Sequence, residues 1–128
     1  MEKTVKVGKY NEIYNEILGI NLKEKIIYQS KGLKTHMLKR KHFKAVKYVD
    51  DIPDIIDNPD YIGLSGSEDE YSIEYVKCFK DNMLLVIKMD VNKDVLYVAS
   101  MFEINQAKLE RFLHSGRLKS VDVTRNKK

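Results

Sequence analysis

The nine residues from Lys34 to His42 contain two of the three histidines of the chain, together with four lysine and arginine side chains. Imidazole is the only side chain whose unperturbed pKa lets it exchange protons near neutral pH. Guanidinium and ammonium groups bind phosphate oxygens. This combination suits phosphodiester chemistry on RNA without a metal ion, but an ordinary basic helix has the same composition. The elements that position these residues must decide between the two interpretations.

Helical spacing places His36 on the same side as Lys39 and Arg40, which follow three and four positions later. Arg40 would project between His36 and the apolar stripe, so the imidazole and one guanidinium would lie at the margin of the buried side. The alternative is a solvated basic face with His36 partly packed. His42 lies six positions after His36, roughly opposite on a helix, so both can serve one site only if the helix ends first.

The apolar run Val95–Ile104 contains one hydroxyl, Ser100, where another aliphatic residue would be expected. A buried hydroxyl needs a partner, so Ser100 either bonds to nearby backbone or lines a cavity. Strict strand alternation predicts two faces. One face would carry Leu96, Val98, Ser100, Phe102 and Ile104, and the other would carry Tyr97, Ala99 and Met101.

Apolar spacing predicts helices in the first half of the chain. Gly19 and the Asn58-Pro59 pair are typical helix ends, and Asp51 before Ile52-Pro53 is a typical start. The predicted elements are a helix around Tyr10–Leu18, a short strand at Lys25–Gln29, a helix from about Leu33 to Arg40 or beyond, and a helix from Asp51 to Asn58.

Period-two patterns then predict strands at Ile73–Lys80, Met83–Val91 and Val95–Ile104, joined by short turns as an antiparallel meander. A shorter strand is predicted around Tyr61–Leu64. Asn105 can cap a final helix with a buried stripe, and Gly116 can end it. That stripe is Leu109, Phe112 and Leu113. Helices first and strands afterwards predict an α+β fold in which N-terminal helices pack on an antiparallel sheet.

Charge is divided sharply along the chain. Residues 1–48 carry 12 Lys/Arg and 4 Asp/Glu, residues 49–94 carry 4 and 12, and residues 95–128 carry 7 and 3. A chain of this kind can present a basic surface to an anion while its acidic segment keeps the remainder soluble.

Several classes are excluded or disfavoured by the bulk properties. With 128 residues we expect one domain over 1–121, followed by a basic tail at 122–128. No run approaches the roughly 20 apolar residues of a spanning helix, and the N-terminus lacks the apolar core of a signal peptide, so we expect a cytoplasmic chain. The single cysteine, Cys78, excludes an internal disulfide and is predicted to be buried. Zinc, calcium and P-loop spacings are missing.

The order of these features resembles the phage-associated branch of the Barnase–EndoU–colicin–RelE (BECR) nuclease superfamily. Its domains typically show a His-containing basic helix, a Pro-Asp-x-Ile phrase that leads into the sheet, and a final strand of Val-x-Thr-aromatic type. The corresponding residues here are His36 and His42, Pro59-Asp60-Tyr61-Ile62, and Val98-Ala99-Ser100-Met101-Phe102. The resemblance covers residues 33–115 and, more loosely, 1–30. Ser100 replaces the more usual Thr, which keeps the hydroxyl.

The resemblance implies a barnase-like α+β fold and a toxin-like endoribonuclease. Such an enzyme would cleave RNA through attack of the 2′-OH on the adjacent phosphate, with neither a metal ion nor another cofactor. Carried over by position, the catalytic residues would be His36, Arg40 and Ser100, and the substrate-binding residues Lys39, Lys41, His42 and Tyr97. The implied partners are RNA, such as tRNA or ribosome-associated RNA, and an acidic neutralising protein. The rival interpretation is a non-catalytic module of mobile-element origin that binds nucleic acid or protein through the same basic face.

Overall fold

Seven strands and five α-helices form the part of the chain that the computed structural model describes, namely residues 4–67, 70–90 and 92–121. The basic tail predicted at 122–128 lies outside this part. The strands are β1 (Thr4–Lys9), β2 (Ile26–Ser30), β3 (Tyr61–Gly66), β4 (Tyr71–Cys78), β5 (Asn82–Asp90), β6 (Val95–Ile104) and β7 (Leu118–Ser120). The helices are α1 (Tyr14–Leu18), α2 (Leu33–Lys39), α3 (Phe43–Val46), α4 (Ile52–Asp57) and α5 (Gln106–Ser115). This content agrees with the predicted α+β class.

The strands form one sheet in the order β1-β2-β6-β5-β4-β3-β7. The predicted meander β4-β5-β6 is confirmed, and the predicted fourth strand, β3, pairs antiparallel with β4. The prediction of a wholly antiparallel sheet was wrong, because β2 pairs parallel with β6 through Ile27↔Leu96 and Tyr28↔Tyr97. Strands β1 and β7 were not predicted, since β1 alternates with lysines and β7 has only three residues.

The predicted boundary signals act where they were expected. Gly19 and Gly116 end α1 and α5 in the left-handed region, at φ 71° and 88°. The Asn105 side chain accepts a hydrogen bond of 2.8 Å from the Lys108 backbone N–H, which caps α5. Pro53 lies in the first turn of α4, where its missing N–H costs nothing.

The larger core cluster combines side chains from α1 to α4 with those of one sheet face, which we call the inner face. Met37, Ile52 and Ile55 are fully buried in it, together with strand residues such as Tyr75 and Ile87. Each of the methionine and isoleucine side chains among them contributes about 1.5–3 kcal/mol when it leaves water. This cluster fixes α2 against the sheet.

A smaller cluster lies on the opposite, outer face of the sheet. Leu109 of α5 packs there against Val76, Leu84 and Ile104, and Leu118 completes the group. Tyr97 belongs to the same outer face but keeps 39% of its surface exposed. The outer-face cluster therefore leaves part of the sheet open.

A buried ion pair also lies on the outer face. Glu74 is 2% exposed, and Arg117 donates two hydrogen bonds to its carboxylate, of 2.9 and 2.6 Å. These bonds raise the pKa of Arg117 above its ordinary value. The backbone of Arg117 crosses β3 at Gly63, where an added Cβ would lie 1.9 Å from the Arg117 carbonyl oxygen. Glycine is therefore required at this crossing.

Cys78 is exposed, so the prediction of a buried cysteine was wrong. Cys78 is the last residue of β4 and pairs with Asn82 beside the β4–β5 turn, beyond the reach of either core cluster. Within the described residues, no helix is long and apolar enough to cross a membrane.

Candidate functional site

Helix α2 buries one side and presents its histidine and cations on the other. Leu33 and Met37 are buried, whereas His36, Lys39 and Arg40 are exposed. None of the described residues forms a hydrogen bond or ion pair with the last three side chains. These groups are therefore available to an external anion.

The end of α2 separates the two histidines. The Lys41 N–H donates to Leu38 O (3.0 Å) and the His42 N–H donates to Met37 O (2.9 Å), which is the pattern of a Schellman motif. Lys41 takes the left-handed position at φ 63°, where glycine is usual. The helix thus ends before His42, and the condition for His36 and His42 to serve one site is met.

The His42 imidazole lies half-buried against β6. Its ring centroid is 5.7 Å from that of Phe102, at an interplanar angle of 52°. Its Nδ1 is buried and has no hydrogen-bond partner among the described residues. Buried polar atoms nearly always form a hydrogen bond, so a ligand or a water molecule is expected to supply the partner of this imidazole nitrogen.

A cavity of about 320 Å³ opens beside this ring, and its lining includes Lys41, His42, Lys44, Phe102 and Glu103. Lys44 Nζ lies 3.4 Å from the Glu103 carboxylate. An imidazole, two ammonium groups and a carboxylate therefore share one small space. Of these, only His42 and Lys41 were predicted as site residues.

Asp81 holds Lys44 at the edge of the cavity. The Tyr48 hydroxyl donates a hydrogen bond of 2.9 Å to Asp81 Oδ2, and Lys44 Nζ lies 3.8 Å from Asp81 Oδ1. The Tyr48 hydrogen bond, assisted by Lys44, lowers the pKa of Asp81 below its ordinary value. The same bond raises the pKa of the Tyr48 phenol. At neutral pH the pair therefore remains a carboxylate and a phenol.

A β-bulge in β6 changes the faces that alternation predicted. Val98 lies opposite Ile87, but Ser100 lies opposite Val86, so Ala99 is an extra residue without a partner in β5. Leu96 and Val98 consequently belong to the inner-face cluster, as does Met101, whereas Phe102 packs with the outer-face cluster. The prediction that Leu96, Val98, Ser100, Phe102 and Ile104 share one face was therefore wrong, because a bulge shifts the alternation by one residue.

Through this bulge, Ser100 lies on the outer face with Tyr97 and Phe102. Ser100 is half-buried, and no described residue hydrogen-bonds to its hydroxyl. The backbone-bonded alternative is therefore not found in the structure. Helix α2 packs against β6. No hydrogen bond joins Ser100 to His36 in the described part of the chain.

Sequence reasoning missed three participants around His42. Phe102 was assigned to a core face, Glu103 was not considered, and Lys44 was not distinguished from other lysines. Lys108 of α5 was missed for the same reason, and its Nζ lies 5.9 Å from the centre of the Phe102 ring. Phe102 and Glu103, near the end of β6, contact His42 and Lys44, which are about 60 residues earlier in the chain. No local sequence pattern predicts a contact over this separation.

The arrangement can transfer protons and stabilise negative charge. His36 and His42 offer two imidazoles, and the cations of α2 and its end offer several donors to phosphate oxygens. Among the described residues, no group of three or more His, Cys, Asp or Glu side chains is placed to hold a metal ion.

Comparison with known protein families gives the class of protein. Residues 5–111 match the family model of the phage-Barnase-EndoU-ColicinE5/D-RelE like nuclease 3 family, so the chain belongs to this family of BECR-like nucleases. The match extends the predicted resemblance through β1 and α1. No curated protein and no solved structure matches the chain.

Proposed function

We propose that the chain is a metal-independent, toxin-like endoribonuclease of the cytoplasm, with its site between the end of α2 and β6. Membership of the nuclease family supports phosphodiester chemistry in general. The observation that carries the more specific proposal is His42, whose Nδ1 is buried without a described partner beside a cavity that holds two lysines and a carboxylate. An acidic neutralising protein and an RNA target such as tRNA or ribosome-associated RNA belong to the same proposal.

His36 and His42 are the two proposed acid–base groups. A neutral imidazole removes the proton of the ribose 2′-OH, whose oxygen attacks the adjacent phosphorus. The bond from phosphorus to the 5′ oxygen breaks, and an imidazolium supplies the proton that this leaving oxygen needs. The products are a 2′,3′-cyclic phosphate and a free 5′-hydroxyl. Glu103 is the alternative base, because it shares the His42 cavity.

Charge accumulates on the phosphate as the attack proceeds. Arg40, with Lys39 and Lys41 beside it, is proposed to stabilise this charge through its unpaired donors. Ser100 is proposed to position a phosphate oxygen or to orient an imidazole. Its hydroxyl is suited to either role because it forms no hydrogen bond with a described residue.

The test uses end-labelled RNA in a buffer that contains EDTA. Each of His36→Ala and His42→Ala is expected to lower the cleavage rate about a hundredfold or more, because positioned proton transfer contributes that much. His114→Ala is the matched control. His114 is exposed in the last turn of α5, so His114→Ala is expected to keep the cleavage rate within about twofold of wild type. Such a change is far smaller than the effect of removing one acid–base group. Mapping of the product ends should find cyclic phosphates.

Two results would overturn the proposal. Intact RNA at high protein concentration would remove the nuclease activity itself, and full activity of His42→Ala would remove that residue from the mechanism. A bell-shaped pH profile that keeps both limbs in Glu103→Gln would assign both proton transfers to the histidines. Loss of the acidic limb in that variant would assign the base to Glu103.

The second candidate is a non-catalytic binder that uses the same basic face. The exposure of His36, Lys39 and Arg40 favours it, because a solvated cationic surface needs no catalytic geometry. A binder would lose affinity steeply as the salt concentration rises and would leave labelled RNA intact. The EDTA experiment therefore separates the two candidates directly.

A further inference from the structure

Four side chains form a row across the outer face of the sheet. Lys6 of β1 lies opposite Tyr28 of β2, Tyr28 lies opposite Tyr97 of β6, and Tyr97 lies opposite Lys88 of β5. Because neighbouring strands are about 4.8 Å apart, this row is about 14 Å long. Two adjacent tyrosines are thus flanked by one lysine on each side.

The two tyrosines at the middle of the row line a groove of about 500 Å³, which lies outside the cluster that α5 covers. Lys6 and Lys88 lie next to these tyrosines on the neighbouring strands. The groove follows β6 from the β5–β6 turn at Lys93 past Tyr97 to Ser30 and Thr4. A volume of this size is typical of sites for small organic groups such as a nucleobase. The 39% exposure of Tyr97 means that a large aromatic surface is open to a ligand.

The charge around the groove favours an anion. Lys6, Lys88 and Lys93 are exposed, and no described residue forms an ion pair with them. On the acidic side, Asp90 lines the groove, and its Oδ1 accepts a hydrogen bond of 3.1 Å from the neutral Asn92 N–H, so its charge is retained. Asp94 in the same turn is bound to Lys25 at 2.6 Å. Among the described residues at and beside the groove, three lysines without an ion pair therefore outweigh the one such carboxylate, Asp90.

The groove and the candidate active site both lie along β6. The bulge at Ala99 places Tyr97 and Ser100 on the same face of β6. At about 3.3 Å per residue, the two side chains are within roughly 10 Å of each other along the strand. Phe102, which contacts His42, follows on the same face. One strand of nucleic acid could therefore lie along β6 and reach both places.

We propose that this groove is a subsite for single-stranded RNA, with unpaired bases stacked on Tyr28 and Tyr97 and phosphates bound by Lys6, Lys88 and Lys93. The inference rests on the proposed function and adds to it the preference for an unpaired substrate. Stacking on an aromatic ring needs a base whose face is open, and a duplex hides these faces. The subsite is tolerant of sequence because every base has such a face.

The experiment measures binding of a fluorescent ten-nucleotide RNA to the doubly substituted protein His36→Ala, His42→Ala, so that the RNA is not cleaved. Adding Tyr97→Ala is expected to weaken binding of the single strand about fivefold to hundredfold. Tyr97→Phe keeps the ring and is expected to stay within about twofold, because stacking needs only the aromatic face. Duplex RNA of the same sequence should bind with little change in either variant.

A matched pair of lysine variants tests the charge. Lys6→Ala is expected to weaken binding, whereas Lys119→Ala should not. Lys119 lies in β7 at the far edge of the sheet, opposite Ile62 of the inner face. Its one side-chain hydrogen bond to a described residue is long, at 3.4 Å, and is donated to Ile17 O. Urea denaturation of each variant confirms that the fold persists.

The two proposals fail in different ways. Unchanged affinity and unchanged KM in Tyr97→Ala would overturn the subsite even if wild-type protein cleaves RNA. Equal cleavage of single-stranded and duplex RNA would also overturn it. Ring-dependent binding of single strands without cleavage by wild-type protein would support the subsite and overturn the nuclease proposal.

Discussion

Lys41 is the residue whose backbone conformation most constrains the candidate site. Its φ of 63° is in the left-handed region. Lys41 thereby completes the turn that ends α2, and His42 is the next residue. A residue with a Cβ costs about 1–2 kcal/mol in that region, and glycine avoids the cost. Strain of this kind concentrates at functional positions. The lysine adds a cation at the His42 cavity, which glycine could not supply.

Lys41→Gly is therefore expected to stabilise the protein by roughly 0.5–1 kcal/mol, after allowance for the extra freedom of glycine in the unfolded chain. The same change at Lys39, the last residue of α2, is expected to cost up to about 1 kcal/mol because glycine is a poor helix former. Urea denaturation of the two variants measures both effects. RNA cleavage by Lys41→Gly should fall despite the gain in stability.

The two variants remove the same side chain and the same charge two residues apart. Opposite signs of the change in unfolding free energy would thus reflect backbone conformation alone. Equal destabilisation would contradict the left-handed turn at Lys41 and, with it, the early end of α2 that separates His36 from His42.

Among the elements, β6 contributes most to the site, and it contacts two strands and two helices, namely β2, β5, α2 and α3. It pairs with β5 along its length and with β2 only at Leu96 and Tyr97, and it packs against α2 and α3 beyond that point. The bulge at Ala99 lies where β2 pairing ends. Bulges often occur beside active sites, where they redirect a side chain.

Deletion of Ala99 tests whether the bulge positions Ser100. In the shortened strand Val98 and Ser100 become consecutive, and their partners Ile87 and Val86 are consecutive already, so the ladder becomes regular without exchanging faces. We expect the unfolding free energy to change by less than about 1 kcal/mol, because a regular ladder replaces an unpaired residue. We expect cleavage to fall about a hundredfold, since a displacement of about 1 Å can have that effect.

Ala99→Ser is the control for this deletion. It keeps the length of β6 and the bulge, so its cleavage rate should stay near that of wild type. Wild-type activity in the deletion variant would mean that the reaction does not depend on the position that the bulge gives to the Ser100 side chain.

The bulge also explains what could be predicted from the sequence and what could not. Cap and stop signals such as Asn105 and Gly116 are local, and α5 begins and ends where they predict. The faces of β6 depend on one extra residue whose presence is decided by pairing with β5, so alternation alone assigned Ser100 and Tyr97 to opposite faces. The contact of His42 with Phe102 spans 60 residues and depends on packing that no local pattern contains.

At the scale of the molecule, the division of charge along the chain persists in the folded state. Among the residues that the structure describes, three ion pairs join the basic N-terminal part to later segments, namely Lys25–Asp94, Lys44–Asp81 and Lys44–Glu103. Lys6 on the outer face and the cations of α2 form no such pairs with described residues. A field of this kind raises the rate of association with a polyanion and weakens as salt screens it.

Binding of single-stranded RNA should therefore depend steeply on salt. Each phosphate contact lowers the slope of log K against log salt by about 0.7 for a single strand, so four to six contacts predict a slope between roughly −3 and −4. Anisotropy titrations of the uncleaving double variant across a range of KCl concentrations measure it. Lys6→Ala should make the slope shallower by about 0.7 through the loss of one contact, and Lys119→Ala should leave it unchanged. A slope near zero would mean that the basic surface does not bind phosphates, and recognition would then rest on the two tyrosines alone.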